Sequence, residues 1–339
     1  MEASTGWRAV SRRHFLVGAA VAPALGWLVS CTPSPLIDSG TERTPMPAPT
    51  VSEQCLAAAE LTQGLLTMTM AATELPNVTD QFADWCRALA QLHQTHLTVL
   101  LQANPLGGVQ ANHTPLATPP PFRWTPFANQ AIAMAQIADA ESLLAAKAAE
   151  FAGTAELTSP MALFWVAQVV SARTHGLALA QADPARLGPA PVVGAAVPAE
   201  FSLGNPNEAR QVLLSHQRAL VFGLQTILGS SARGGEHDPA IAARLVQAMQ
   251  ERDATAAQLR QASAEPDPPA KQYELPGQAG DPGQHRQIWG RLEYAVLTGW
   301  GRLAATDATA RETATAQMIT QAGRARDLGV ALPYWPGWV

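Results

Sequence analysis

Residues 205–228 read NPNEARQVLLSHQRALVFGLQTIL, and they show how this chain starts and orients a helix. The Asn205 side chain can accept hydrogen bonds from the unpaired N–H groups of a first turn, and Pro206 has no N–H to leave unpaired there. Apolar residues then recur at intervals of seven, which places them on one helical face: Leu213, Leu220 and Ile227. The stretch therefore predicts an amphipathic helix.

The same start signal, a capping residue followed by proline, recurs along the chain at Thr125-Pro126, Ser159-Pro160, Asp238-Pro239 and Asp281-Pro282. Three further starts are indicated at Glu53, at Thr79 before Asp80 and at Thr306 before Asp307. These signals predict eight helices, at 53–73, 80–102, 126–152, 160–181, 206–228, 239–263, 282–304 and 307–328. No stretch shows the alternation of a β-strand, so the predicted fold class is all-α.

The predicted helices fall into two sets of four, and each set has a long Pro-rich loop between its second and third helix. One long crossover within four helices is the connectivity of ferritin-like bundles. We therefore predict two such bundles in tandem, at 53–182 and 205–339, joined by a Pro- and Gly-rich linker at 183–204. A duplication would explain the pattern, and one continuous array of eight helices is the alternative.

Residues 205–339 carry four stretches that resemble a known family: LSHQRALVFG at 214–223, QYELP at 272–276, GRLEYA at 290–295 and PYWPG at 333–337. They are similar to a ferritin-like domain of unassigned function found in twin-arginine-exported lipoproteins of high-GC Gram-positive bacteria. The resemblance implies a helical bundle and an exported location, and it implies no reaction. Ser215 stands where the family has an acidic residue before the histidine, which argues against a metal site inherited from the fold.

An export signal is predicted over residues 1–31. The paired arginines followed by Phe and Leu are typical of the twin-arginine route, which carries folded proteins: Arg12, Arg13, Phe15 and Leu16. The apolar run that follows is short for a membrane span, and it ends in a sequence resembling a bacterial lipobox: Leu28, Val29, Ser30 and Cys31. We expect Cys31 to be lipidated and the protein to lie on the outer face of the cytoplasmic membrane. An uncleaved signal-anchor helix is the alternative.

The Pro-rich residues 32–52 predict an extended tether between the lipid anchor and the first helix. Removal of residues 1–31 would leave 19 basic and 26 acidic residues, so no nucleic-acid partner is expected.

Cys55 and Cys86 could form a disulfide in an exported protein. A helical hairpin turning near Pro76 would offset them by about 16 Å, however, beyond the roughly 7 Å Cα separation of a disulfide, so two buried thiols are the alternative.

No Asp or Glu has a His three residues later, so the Glu-x-x-His motif of a di-iron bundle is missing from the sequence. No nucleophile or nucleotide-binding motif is present either, which argues against an enzyme. Six polar residues share spacing with apolar ones and are predicted to face inward: Glu60, His93, His96, Asp139, His216 and Glu293. They can be paired groups of the core, or ligands of one divalent metal such as zinc.

The burial argument is strongest for His216 and Glu293, which lie midway along their helices. An unpaired buried carboxylate would cost several kcal/mol, so each should have a polar partner, and the two can be partners of one another. Three function classes follow: a non-enzymatic lipoprotein that binds an unidentified envelope partner, a metal-binding or redox protein, and a structural spacer. We predict the first, without a cofactor, and the sequence does not indicate an oligomeric state.

Overall fold

The computed structural model describes residues 49–338 except 109–114, 181–186, 193, 195–197 and 234–237. Within these ranges the chain forms eight α-helices and no β-sheet, which confirms the all-α prediction. The helices are α1 (Glu53–Thr73), α2 (Asp80–Leu100), α3 (Gln130–Ala152), α4 (Ser159–Leu179), α5 (Pro206–Arg233), α6 (Pro239–Gln261), α7 (His285–Thr306) and α8 (Arg311–Asp327). The export signal, Cys31 and the tether up to residue 48 lie outside the described residues.

Several helix starts confirm the capping argument. The side chain of Asn205 accepts from the N–H groups of Asn207 (2.9 Å) and Glu208 (3.0 Å), and Thr79 and Asp238 act in the same way at α2 and α6. The predicted start at Thr125-Pro126 is wrong, because Asn129 caps α3 instead.

Phe127 gives the physical reason for that late start. It is buried and its ring lies 4.7 Å from that of Trp124, so the segment before Asn129 packs as a loop. The predicted start of α8 is also early. Asp307 accepts from the N–H groups of Thr309 and Ala310, which forms a turn, and the helix begins only at Arg311.

The two sets of four helices share one packing pattern. In the N-terminal set (α1–α4), α1 packs against α2 and α3, and α3 packs against α4. In the C-terminal set (α5–α8), α5 packs against α6 and α7, and α7 packs against α8.

The close contact between α5 and α7 depends on a glycine. A Cβ atom at Gly299 of α7 would lie 2.9 Å from the Cα of Leu213 in α5. Such a distance would force the two helices apart.

A single cluster of buried apolar side chains runs through both sets, because α4 packs against α7 and α8. The guanidinium of Arg326 in α8 is buried at this junction and donates to the carbonyl oxygens of Thr174 (3.3 Å) and Leu187. The proposed division into two domains stays a prediction, since the structure shows packing and not independent folding.

The C-terminal tail, residues 332–338, crosses from the C-terminal set to the N-terminal set. Its backbone bonds to the linker at Val192, through Val192 N–H to Leu332 O (2.9 Å) and Tyr334 N–H to Val192 O (3.1 Å). The ring of Trp335 stacks on Phe164 of α4 at 5.2 Å. The side chains of Leu332, Tyr334, Trp335 and Trp338 are buried, so the aromatic tail is part of the core.

Two smaller findings complete the fold. Cys55 and Cys86 are buried free thiols, so the structure supports the second of the two alternatives for them. Among the helices that the structure describes, none is long and apolar enough to cross a membrane.

Candidate functional site

The structure separates the six residues that were predicted to face inward. Glu293, His93 and His96 are buried, whereas Glu60 and His216 are only partly buried. Asp139 is exposed, so its prediction is wrong. The inference relied on its spacing from Leu143, but that leucine is itself 55% exposed. In an Ala-rich helix such as α3 the buried face consists largely of small residues, and one leucine does not identify it.

Glu293 of α7 is the centre of a buried ionic network, and its partner is Arg244 of α6. The guanidinium bonds both carboxylate oxygens, Nε to Oε1 at 2.7 Å and Nη2 to Oε2 at 3.1 Å. The indole N–H of Trp289 also donates to Oε1, at 2.7 Å. With the Gln321 amide turned so that its nitrogen faces Glu293, that nitrogen donates to Oε2. Both oxygens are therefore occupied by side chains of the chain itself.

A second carboxylate extends this network toward solvent. Glu251, two turns beyond Arg244 on α6, accepts from Arg244 Nη1 (3.2 Å) and Nη2 (2.9 Å) and lies 3.5 Å from Arg324 Nη1 of α8. Burial alone would lower the pKa of Arg244, but the hydrogen bonds and charges of Glu293 and Glu251 raise it above its ordinary value. The arginine is thus a permanent cation held by two carboxylates.

His216 does not belong to this network. Burial lowers its pKa, although a hydrogen bond to the backbone of Ala295 opposes the shift. The more deeply buried polar residue of α5 is its neighbour Gln217, which is 0% exposed. The expectation that Glu293 has a buried polar partner holds, but the partner is an arginine that the sequence analysis did not consider.

A second polar cluster lies inside the N-terminal set. His93 of α2 and Glu141 of α3 are both buried, and His93 Nε2 lies 3.2 Å from Glu141 Oε1. The two groups are within ion-pair distance, but neither carboxylate oxygen of Glu141 has a well-formed hydrogen bond among the described residues. Burial raises the pKa of Glu141, and the nearby His93 opposes this shift only in part.

Two further buried imidazoles complete this cluster. His96 Nε2 donates to the carbonyl oxygen of Tyr334 at 2.8 Å, and its ring lies 4.2 Å from that of Trp335. Burial lowers the pKa of His96 to about 3. Burial, followed by the charge of Arg326, lowers the pKa of His175 well below its ordinary value. Both side chains are therefore neutral imidazoles at neutral pH.

Glu141 and His175 were missed in the sequence, although signals for both are present. Glu141 stands four residues after Ile137 and three before Leu144, which are both buried in α3. His175 lies on α4, a helix that is apolar on nearly all sides, so its polar residues are buried whichever way they face. In the part of the chain that the structure describes, no three His, Cys, Asp or Glu side chains lie close enough together to hold a metal ion.

A cleft of about 550 Å³ opens beside the Arg244–Glu293 pair. Its walls come from the end of α5, the start of α6 and the start of α7, with Ser231, Asp238, Ile241, His285, Arg286 and Trp289 among the lining residues. The volume lies in the range of small-molecule sites, roughly 300–1,000 Å³. Trp289 connects the cleft to the network, because its indole lines the wall while its N–H bonds Glu293.

Comparison with known proteins concerns the C-terminal set. No curated protein and no solved structure shows a significant match to the chain. A family match does exist, and it extends over α5–α8, the cleft and the aromatic tail, in agreement with the extent predicted from the sequence. The C-terminal part of the chain, residues 209–339, matches the family described as "Domain of unknown function (DUF4439)".

Proposed function

We propose that this chain is an exported, lipid-anchored protein of the cell envelope that binds a ligand or partner and does not catalyse a reaction. The export and anchor rest on the twin-arginine signal and on Cys31, with residues 32–52 as the tether. The single observation that carries the binding role is the cleft between α5, α6 and α7, whose walls are joined by the Arg244–Glu293 pair.

The network supports a binding role over a catalytic one. A catalytic acid or base must exchange a proton with its substrate, and this requires a hydrogen bond within reach of the substrate. Glu293 is fully buried, and Arg244 and Trp289 occupy its Oε1 while Arg244 and Gln321 occupy its Oε2. In this proposal the carboxylate serves as a structural support that holds α6 and α7 beside the cleft.

The ferritin-like assignment belongs to the same proposal. Each set has one long connection between its second and third helix, residues 101–129 in the first and 262–281 in the second, and their described parts contain no α-helix. The order of helix contacts is the same in both sets. A duplicated ferritin-like bundle accounts for both features. The fold family alone would not assign a function, so the binding role is argued from the cleft.

Cell fractionation tests the location. The full chain should sediment with membranes and require detergent for release. Mass spectrometry should show that Cys31 carries a diacylglycerol group, since stable attachment needs at least two acyl chains. Cys31→Ala should leave the precursor unprocessed or release the protein. A wild-type protein that is soluble and carries no lipid would contradict the anchor, whatever the cleft binds.

A second candidate function is metal binding in the N-terminal set. One observation favours it: His93 and Glu141 are buried side by side without a well-formed hydrogen bond among the described residues, although no third such ligand of the described chain lies with them. Imidazole and carboxylate are ligands that zinc accepts. Metal content per chain, measured on protein purified after native export, distinguishes the candidates.

A stoichiometric ion that is lost in both His93→Gln and Glu141→Gln would favour metal binding. A chain that binds neither a metal ion nor a ligand would favour the third class, a structural spacer.

A further inference from the structure

We propose that the cleft between α5, α6 and α7 binds a small zwitterionic ligand of the amino-acid type. In this assignment Arg286 receives the carboxylate, Asp238 receives the ammonium group, and Trp289 and Ile241 contact the apolar part. The assignment rests on the binding function proposed above and specifies its ligand class. It does not depend on where the protein is anchored.

Arg286 supplies a positioned cation on one wall of the cleft. Arg286 lines the cleft at the start of α7, and its Nη2 donates to the carbonyl oxygen of Asp327 at 2.7 Å, which ties the guanidinium to the end of α8. The structure shows no carboxylate paired with this side chain among the described residues. The remaining N–H groups can therefore bind a carboxylate, for which the planar guanidinium is well suited.

Asp238, which lines the cleft at the start of α6, supplies the anion. Its Oδ1 is used as the helix cap and accepts from the N–H groups of Ala240 (2.9 Å) and Ile241 (3.3 Å). Its Oδ2 has no such role among the described residues. One residue thus fixes the helix end with Oδ1 and also lines the cleft, and the charge of its carboxylate is shared by both oxygens.

His285 and Ser231 add a second polar position. His285 is 8% exposed, and its Nε2 donates to the carbonyl oxygen of Ala279 at 2.9 Å. This bond assigns the proton to Nε2, so Nδ1 is an acceptor, and its nearest polar contact is the Ser231 hydroxyl at 3.5 Å. An acceptor whose contact among the described residues is this long one can receive an N–H of the ligand, together with Asp238.

The balance of charge selects the ligand class. Among the described residues that line the cleft, Arg286 carries a guanidinium and Asp238 a carboxylate, and a zwitterion pairs both. The indole of Trp289 is held in place by its bond to Glu293, and it offers a flat apolar surface that also attracts a cation. A volume of about 550 Å³ accommodates an amino acid with a large side chain.

Calorimetric titration of the full chain, purified in detergent, tests the proposal with three related probes. The probes are L-phenylalanine, which carries both charges, phenethylamine, which lacks the carboxylate, and 3-phenylpropanoate, which lacks the amine. We expect L-phenylalanine to bind at least about tenfold more tightly than either singly charged probe, because each charge-assisted contact contributes to affinity.

Variants of the cleft wall assign the two charges. Asp238→Asn retains the cap, since Asn is as good an N-cap as Asp, and it should weaken L-phenylalanine binding about tenfold without lowering the melting temperature. Arg286→Gln should weaken binding by a similar factor. The matched control is Asp281→Asn, which makes the same change at the cap of the 3₁₀ turn Pro282–Gln284 and does not line the cleft.

Three results would overturn the proposed ligand class. Absence of heat with L-phenylalanine at millimolar concentration, or equal affinity for 3-phenylpropanoate, would overturn the zwitterion assignment. Unchanged binding in both Asp238→Asn and Arg286→Gln would place any bound ligand outside the cleft and would overturn it as well. Membrane fractionation of the same preparations reports on the anchor separately, so failure of the ligand class and failure of the proposed location are distinguishable.

Discussion

Arg244 of α6 and Glu293 of α7 form a bidentate ion pair in the interior of the C-terminal set, with N–O distances of 2.7 and 3.1 Å. Helix α6 makes its close helix contacts with α5, whereas polar side chains join it to α7 and α8. Apolar packing thus places α6 on α5, and charge pairing fixes its position relative to α7 and α8, and with it one wall of the cleft.

Breaking this pair should be costly. Glu293→Ala leaves the buried Arg244 with Glu251 as its remaining carboxylate partner and removes the acceptor of Trp289, and it should lower the free energy of unfolding by about 3–5 kcal/mol. Glu293→Gln should cost less, because its amide oxygen can still accept from Arg244 or Trp289. Urea unfolding followed by circular dichroism measures both. The exposed Glu312→Ala on α8 is the control, and an equal effect of Glu312→Ala and Glu293→Ala would contradict the ion pair's structural role.

The buried His96 should make stability depend on pH. Its folded-state pKa of about 3 lies below the ordinary value of about 6.5, so the unfolded chain binds the proton more readily. Its contribution should fall as the pH drops from 6.5 toward 3, by up to about 1.4 kcal/mol per pH unit.

His96→Gln tests this directly, because Gln can keep the N–H bond to Tyr334 and does not titrate. The wild type should therefore lose stability relative to His96→Gln between pH 7 and pH 5, measured as unfolding free energy at each pH. Parallel curves for the two proteins would show that His96 is not buried as the structure places it.

The aromatic tail should stabilise both sets of helices. Trp335→Ala removes a buried ring that contacts His96 and Phe164, and it should lower the free energy of unfolding by about 3–5 kcal/mol. Trp335→Phe should cost less, since it keeps an aromatic ring in the site. Because one apolar cluster joins the sets, we expect a single unfolding transition. Two separate transitions in the wild type would instead support two independent domains.

The two cysteines of the helical region should be unreactive. Cys55 and Cys86 are buried free thiols, and burial raises the pKa of Cys86 to about 12 and also raises that of Cys55, where a hydrogen bond with Ser52 opposes the shift. A thiol-specific reagent at pH 8 should modify neither in the native protein and both after unfolding in urea. If the unfolded chain is labelled only after a reductant is added, the two cysteines form a disulfide.

The export signal makes a separate prediction. Joint replacement of Arg12→Lys and Arg13→Lys keeps the positive charge but should abolish export if the twin-arginine route is used. The amount of processed protein in the membrane fraction measures this. Normal export of the double variant would indicate transport as an unfolded chain, and the lipidation of Cys31 could then still hold.

The candidate site was only partly accessible from the sequence. Glu293 could be recognised as buried, because a carboxylate on an apolar stripe has to face the core. Its partner could not, since Arg244 lies 49 residues earlier on a helix whose packing depends on the long crossover after it. The cleft was not foreseen for the same reason, because its walls come from three helices whose relative placement no local pattern specifies.

The sequence by itself determined the class and the number of helices, because capping residues, prolines and apolar spacing are local properties that act within one or two turns. It could not determine that α4 packs against α7 and α8, or that the tail at Trp335 lies against His96, more than two hundred residues away. Such contacts arise when buried apolar surfaces find each other across the whole chain, and hydrophobic burial has no direction of its own. Only the tertiary structure decided which polar groups share the interior: Glu141 and not Asp139, and Arg244 and not His216.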